Sequence, residues 1–123
     1  MGTAKCPLPV DGEPLIAHLV RRLASSFNDK VVVAAPEQDL PPLLARIVGD
    51  ELPHQGPAAG IFYGLRAAAD EVSFVTACDA PFLNLALTGV LLSRLGDADV
   101  GVPFGRSDYS RCTLCTENQC YRF

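Results

Sequence analysis

The clearest pattern in the chain lies between residues 13 and 27, where apolar residues recur at three- and four-residue steps. This spacing puts them on one face of a helix, and Pro14 is compatible with its first turn. The pattern therefore predicts an amphipathic helix whose apolar face consists of Leu15, Ile16, Leu19, Val20, Leu23 and Phe27.

Short apolar and β-branched runs alternate with further helical patterns along the rest of the chain. Residues 30–35 form such a run, bounded by Asn28-Asp29 and Pro36, which is typical of a buried parallel strand. Further strands are predicted at 46–50, 72–78 and 98–102, and further helices at 43–48, 61–69 and 85–95.

This alternation of helices and strands predicts an α/β fold with a mostly parallel sheet covered on both faces. Ligands of such sheets bind beyond the carboxyl ends of the strands. Chemistry is therefore expected in the loops that follow Ala35, Asp50 and Cys78.

Composition limits the classes of protein that fit. The 123 residues are enough for one domain, and the net charge of −4 argues against a nucleic-acid surface. The apolar stretches are too short for a membrane span, and the first residues lack the pattern of a secretory signal. The expected location is the reducing cytoplasm.

The five cysteines are unevenly placed, and three of them (Cys112, Cys115 and Cys120) lie near the end of the chain. An odd number without an export signal is poor evidence for disulfides. The Cys112-x-x-Cys115 pair leaves two interpretations open, a zinc ligand pair or part of an irregular tail, because a closed zinc site needs four ligands.

Two segments are candidates for binding chemistry. Asp79 directly follows a predicted strand, where its carboxylate can bind Mg²⁺ or merely cap the next helix. The run from Gly56 to Gly60 precedes a predicted helix, where it can bind an anion or permit close packing of helix on sheet.

Other polar residues have weaker support. His18 and His54 lack a carboxylate or cysteine partner at motif spacing, which favours surface or core-edge positions. Ser25-Ser26 lacks the context of a nucleophile elbow. By itself, Lys5 is interpreted as a solvated side chain.

Four separated blocks of the sequence are informative when taken together. They are Met1-Gly2-x-x-Lys5, Leu8-Pro9-Val10-x-Gly12-x-Pro14-Leu15-Ile16-x-His18, Gly56-Pro57-x-Ala59-Gly60-Ile61-x-x-Gly64-Leu65 and Cys78-Asp79-x-Pro81-Phe82-Leu83. In this order they resemble the molybdenum cofactor guanylyltransferases, which are nucleotidyltransferases. The resemblance covers residues 1 to about 105, most of the chain.

The resemblance implies transfer of GMP from GTP to molybdopterin with release of pyrophosphate, and contact with other molybdenum-cofactor proteins. It implies that Lys5 contacts the nucleotide phosphates and that Asp79 holds Mg²⁺. Asp50, with Gly56, Pro57 and Gly60 of the glycine loop, would position guanine and ribose. Lys5 and Asp79 are thereby the candidate catalytic residues.

The resemblance also implies a Rossmann-like three-layer α/β/α fold, which this chain would share without its first strand and its C-terminal part. The family pattern opens L-A-G-G-x-S-x-R-M-G-x-x-K, and the chain begins at M-G-x-x-K. Residues 1–105 are assigned to a partial nucleotidyltransferase domain and residues 106–123 to an irregular tail.

Other functions remain open at this point. A cytidylyl- or sugar-nucleotide transferase of the same fold would differ in its preference between CTP and GTP. An inactive nucleotide-binding remnant would bind GTP without releasing pyrophosphate. A zinc-binding tail would lose stoichiometric zinc on the substitution Cys112→Ser.

The tail yields a prediction about the gene. One permitted coding of residues 110–123, read in the neighbouring frame, gives P-L-H-A-L-Y, the block that the family shows soon after Val102-Pro103. We therefore expect DNA sequencing to find this overlap and to place a frameshift between Arg106 and Ser110. A gene without the overlapping block would contradict the out-of-frame hypothesis.

Overall fold

The computed structural model of the chain describes residues 9–51, 56–78, 80, 83–103 and 112–116, with the backbone alone for 9–10 and 112–116. It begins with a short antiparallel hairpin of β1 (Pro9–Val10) and β2 (Glu13–Pro14). Asp11 and Gly12 form its turn with φ values of +49° and +84°. Positive φ at both central residues is what a tight hairpin turn requires, and Asp-Gly supplies it well.

Helix α1 (Leu15–Leu23) follows the hairpin directly. Leu15, Ile16, Leu19 and Val20 are buried and Leu23 is half-buried, so the apolar face is confirmed within α1. The helix is shorter than the predicted 13–27, because Glu13 and Pro14 belong to β2 and the half-buried Phe27 lies beyond the helix end. Leu19 and Leu83 form the centre of a hydrophobic cluster that also includes Leu23, Phe74 and Leu85. The first helix is thus packed against residues more than 50 positions later in the chain.

Strands β3 (Val31–Ala34) and β4 (Arg46–Gly49) pair in parallel, with Val31 opposite Arg46 and Ala34 opposite Gly49. Helix α2 (Pro57–Ala67) packs against both strands. Its closest approach is at Gly64, where an added Cβ would lie 3.3 Å from Val33 Cγ2. A glycine at this position therefore lets the helix backbone come close to the strand.

A second sheet contains β5 (Val72–Thr76), β6 (Val100–Gly101) and β7 (Cys112–Thr116), in the order β5-β7-β6. Both of its pairings are antiparallel. Helix α3 (Ala86–Leu95) lies between β5 and β6 in sequence and contacts β6. Phe27 and Phe74 stack with their ring centres 5.8 Å apart.

The α/β class predicted from the sequence is confirmed, since helices and a parallel strand pair are both present. A single, mostly parallel sheet is not what the described residues form, because the pairings in the hairpin and the second sheet are antiparallel. Residues 112–116 form a strand inside the segment predicted to be an irregular tail. The division into 1–105 and 106–123 stays a prediction.

The short helix predicted at 43–48 is wrong. Residues 41–45 connect to β4 without a helix. Pro41 and Pro42 have no N–H to donate, and three residues between Pro42 and the start of β4 are too few for a helix turn to propagate.

Of the helices that the structure describes, none has both the length and the apolar character needed to cross a bilayer.

An ion pair joins the beginning of the parallel strands to the end of α2. Arg46 donates to both carboxylate oxygens of Asp29, from Nε at 3.1 Å and from Nη2 at 2.6 Å. The same Nη2 donates to the Ala67 carbonyl at 2.6 Å, and the Ala69 N–H donates to Asp29 at 3.1 Å. The Arg46 hydrogen bond is the main cause that lowers the pKa of Asp29 below its usual 3.8.

We expect the substitution Asp29→Asn to lower the thermal unfolding midpoint by a few degrees at pH 7. A carboxyl whose pKa is lowered by folding stabilises the native state above its unfolded pKa, and this contribution is lost as pH falls through the folded pKa. The difference from the parent chain should therefore shrink below about pH 4. Asp39→Asn, in the exposed β3–β4 connection, is the control, and a difference that persisted at pH 2 would contradict the ion-pair explanation.

Candidate active site

Asp50, one of the predicted site residues, lies immediately after β4, at the carboxyl end of the parallel pair. Its backbone N–H donates to the Ala34 carbonyl at 2.8 Å, so the pairing of the two strands continues to this residue. The side chain is half-buried. The structure thus fixes the backbone of Asp50 at the sheet edge where ligands of parallel strands bind.

The glycine segment is mostly helical in the structure, which corrects the prediction of a loop over 56–60. Helix α2 begins at Pro57, so Pro57, Ala58, Ala59 and Gly60 form its first turn. Proline is well suited to the first helical position because it lacks an N–H that would have no partner there and its φ is already helical. Gly56 is the residue that precedes the helix.

Gly56 has a backbone conformation that favours glycine. Its φ is +76° and its ψ is −171°, and no side chain of the described residues caps the helix here. The first N–H groups of a helix have no partner within the helix and carry partial positive charge. Gly56, Pro57 and Gly60 therefore lie at a helix end that favours a negatively charged or hydrogen-bond-accepting group.

Gly60 and Gly64 differ in what surrounds them. A Cβ at Gly64 would meet Val33, whereas a Cβ at Gly60 would meet no atom of the described residues within 4 Å. Packing of helix on sheet, the alternative reading of the glycine segment, therefore accounts for Gly64 and not for Gly60. Gly60 lies one turn before Gly64, closer to the helix end that follows Asp50.

The segment after β5 contains the second carboxylate of interest. Lys5 and Asp79 both lie outside the described residues, so their predicted roles remain predictions. The residues on either side of Asp79, Cys78 and Ala80, are half-buried. Leu83 is buried at 7% exposure, and its carbonyl accepts a hydrogen bond from Arg22 Nη2 at 2.8 Å.

His18 has a partner that sequence reasoning missed. Its Nδ1 lies 3.1 Å from Glu13 Oε1, and Arg21 also donates to that carboxylate. The hydrogen bond from Arg21 is the main cause that lowers the pKa of Glu13. The core-edge position predicted for His18 agrees with its side-chain exposure of 13%. The Asp-Gly turn was the sequence signal that could have predicted that Glu13 folds back toward the helix.

Mg²⁺ commonly binds proteins through one or two carboxylates together with substrate phosphates and water. Among the residues that the structure describes, no three or more His, Cys, Asp or Glu side chains form a cluster that could hold a metal ion. Asp50 is a described carboxylate at the predicted edge, and Asp79 stays the predicted ligand. The donor types fit a hard cation that takes part of its coordination from phosphate.

A cavity of about 310 Å³ lies elsewhere in the molecule. It is lined by the stacked rings of Phe27 and Phe74, by Asp70 and Val72 near the start of β5, and by residues of α3. Of the predicted site residues that the structure describes, namely Asp50, Gly56, Pro57 and Gly60, none lines it. The cavity therefore does not coincide with the ends of β3 and β4.

Comparisons with known proteins agree with the sequence motifs. A family model described as a MobA-like NTP transferase domain matches residues 1–122. A Mycobacterium tuberculosis protein named "Probable molybdenum cofactor guanylyltransferase" is 39% identical over 125 residues, covering 95% of this chain and 62% of the relative. A Mycobacterium avium protein of the same name is 38% identical over 112 residues, covering 86% of this chain and 57% of the relative. The chain thus spans less than two thirds of the length of these relatives.

The two glycines at the start of α2 are expected to respond in opposite ways to alanine. Gly56→Ala should lower the free energy of unfolding by about 1–3 kcal/mol, because the backbone conformation at φ +76° and ψ −171° is one that essentially only glycine adopts. Gly60→Ala should raise it by about 0.5–1 kcal/mol, because alanine is the better helix former. Urea unfolding measures both. A loss of stability in Gly60→Ala would indicate that Gly60 is needed for packing.

Proposed function

This chain belongs to the family of MobA-like NTP transferase domains, and on that premise we propose that it transfers GMP from GTP to molybdopterin with release of pyrophosphate. The observation that carries the proposal is the match over 95% of the chain to a relative named as a molybdenum cofactor guanylyltransferase. Because the chain spans 62% of that relative's length, the activity and both substrates are part of the proposal.

The start of α2 supports a nucleotide site on the described residues. Asp50 ends the parallel pair, and Gly56 and Pro57 begin the helix that packs on the same two strands. A carboxylate accepts hydrogen bonds from the N–H groups of guanine or from ribose hydroxyls. We assign Asp50, with Gly56, Pro57 and Gly60, to positioning of the guanosine part of GTP.

The open surroundings of Gly60 fit this assignment. A side chain there would occupy space that no described residue fills, and glycine leaves that space to a ligand that approaches the helix backbone. The partial positive charge of the helix N-terminus favours electron-rich ligand atoms at the same place.

Lys5 and Asp79 are the proposed catalytic residues. In the reaction, an oxygen of the terminal phosphate of molybdopterin attacks the α-phosphorus of GTP. The bond from the α-phosphorus to the bridging oxygen breaks, and pyrophosphate leaves with that electron pair. Such a transfer depends mainly on in-line positioning and on cations that offset the developing charge.

Lys5 would supply one such cation next to the phosphates. Asp79 would hold Mg²⁺, which when bound neutralises phosphate charge and fixes the geometry of the leaving group. Asp50 and the α2 start would hold the nucleoside in place while the phosphates react. The residues with these roles lie in different segments of the chain. The fold must therefore bring these segments together at one edge of the sheet.

The finer fold assignment belongs to this proposal. We infer a Rossmann-like three-layer α/β/α arrangement for the family domain, in which the parallel pair β3–β4 is one part of the sheet. A cytoplasmic location fits the supply of GTP, and contact with other molybdenum-cofactor proteins fits the delivery of molybdopterin.

The proposal predicts pyrophosphate release from GTP that requires both Mg²⁺ and molybdopterin. Asp79→Asn should lower the rate by about 100-fold or more, because an amide neither carries charge nor binds Mg²⁺ well. Asp97→Asn, an exposed position after α3, is the matched control and should retain the parent rate. Release of pyrophosphate from CTP at a greater rate than from GTP would contradict the guanylyl assignment.

Binding of GTP measured by calorimetry forms a second part of the same test. Gly60→Ala should fold normally and bind GTP more weakly than the parent chain. Equal affinity in both chains would show that the start of α2 does not contact the nucleotide. Binding of GTP by the parent chain without any pyrophosphate release would favour the nucleotide-binding remnant.

A further inference from the structure

Arg22 connects the first helix to the segment that follows β5. It lies in the last turn of α1, and its Nη2 donates a hydrogen bond to the Leu83 carbonyl at 2.8 Å. The two residues are 61 positions apart in the chain, and the contact is partly buried. A hydrogen bond from a charged donor is stronger than one between neutral groups.

Leu83 is held by packing as well as by this hydrogen bond. Its side chain is 7% exposed and packs against Leu19 of α1, which is 3% exposed. The Leu83 N–H in turn donates to the Ala80 carbonyl at 3.4 Å. Arg22, Leu83 and Ala80 thus form a continuous connection from α1 to the residue next to Asp79.

The other end of the same segment is held by the sheet. Strand β5 ends at Thr76, and the described residues between it and Leu83 are Ala77, Cys78 and Ala80. Loss of an attachment beside such residues makes local opening easier. The Arg22 hydrogen bond to Leu83 is therefore well placed to limit opening at Cys78 and Ala80.

We infer that Arg22 is a positioning residue for Cys78 and Ala80, the described residues on either side of Asp79. Arg22 holds the Leu83 carbonyl. Its link to the metal rests on the proposed function: if Asp79 binds Mg²⁺, Arg22 also sets the affinity for the metal–nucleotide complex. Arg22 touches neither substrate nor metal in this role. It acts through the backbone of Ala80 and Leu83.

Arg21 provides a matched control on the same helix turn. Both arginines lie in the last turn of α1, but Arg21 is 66% exposed and donates to Glu13. Arg21→Met therefore removes the same charge and the same favourable interaction with the helix dipole as Arg22→Met. Of the two variants, Arg22→Met removes the hydrogen bond to Leu83.

The first readout needs neither nucleotide nor metal. Cys78 carries a half-buried thiol immediately after the end of β5, beside Asp79. Alkylation by iodoacetamide, followed by peptide mass spectrometry, gives the rate at this cysteine separately from the others. We expect Arg22→Met to raise the Cys78 rate by about tenfold, the change that loss of one charged hydrogen bond produces in an opening equilibrium.

The second readout is binding of Mn²⁺, as a paramagnetic substitute for Mg²⁺, in the presence of GTP. Arg22→Met should weaken this binding by about tenfold, and Arg21→Met should leave it unchanged. Arg22→Lys, which keeps a charged donor at the same position, should restore part of both effects. If Arg22→Met does not fold by circular dichroism, the comparison of Arg22→Lys with Arg21→Met gives the result.

The outcomes separate the positioning role from the proposed function. An unchanged Cys78 rate in the folded Arg22 variant, or equal rates in the Arg21 and Arg22 variants, would overturn the inference. A raised Cys78 rate with unchanged Mn²⁺ binding would overturn its link to the metal. A parent chain that binds no Mn²⁺ with GTP would overturn the proposed metal site, while a raised Cys78 rate would still support the attachment of Leu83 by Arg22.

Discussion

Burial of Leu19 against Leu83 is the contact on which the arrangement of the chain most depends. It brings the first helix onto the segment between β5 and α3, and Phe74, Leu23 and Leu85 complete the cluster. Burial of apolar surface gives the largest favourable contribution to such packing. Arg22 adds direction to it, since its hydrogen bond to the Leu83 carbonyl requires one relative position of helix and segment.

A second unit is built around the parallel pair β3–β4. Gly64 lets α2 approach Val33 closely, and the Arg46–Asp29 ion pair joins the end of α2 to the beginning of the strands. The ion pair holds the C-terminal end of α2 at the beginning of the two strands, so α2 begins on the side where β4 ends. These contacts lie far from Gly56 and Pro57, and the position of both residues relative to Asp50 follows from them.

Local patterns predicted the helices and strands of this chain well where apolar periodicity or a run of β-branched residues is strong. Examples are the apolar face of α1, the run of valines in β3 and the strand β5. Periodicity and β-branching act within a few residues, so they can be recognised from the sequence. The helix at 43–48 failed because two prolines outweighed the apolar pattern. The hairpin was missed although Asp11-Gly12 is a strong turn signal.

The sequence by itself determined the α/β class, the apolar face of α1, the motifs of the family and the candidate residues Lys5, Asp50, Gly56, Pro57, Gly60 and Asp79. The tertiary structure decided the antiparallel pairing of β5 with β7 and the partners of His18 and Arg22. It also decided that Gly64 packs closely on Val33 while the surroundings of Gly60 among the described residues are open. These features depend on residues distant in the chain, or on backbone geometry that spacing does not encode, and so no local pattern specifies them.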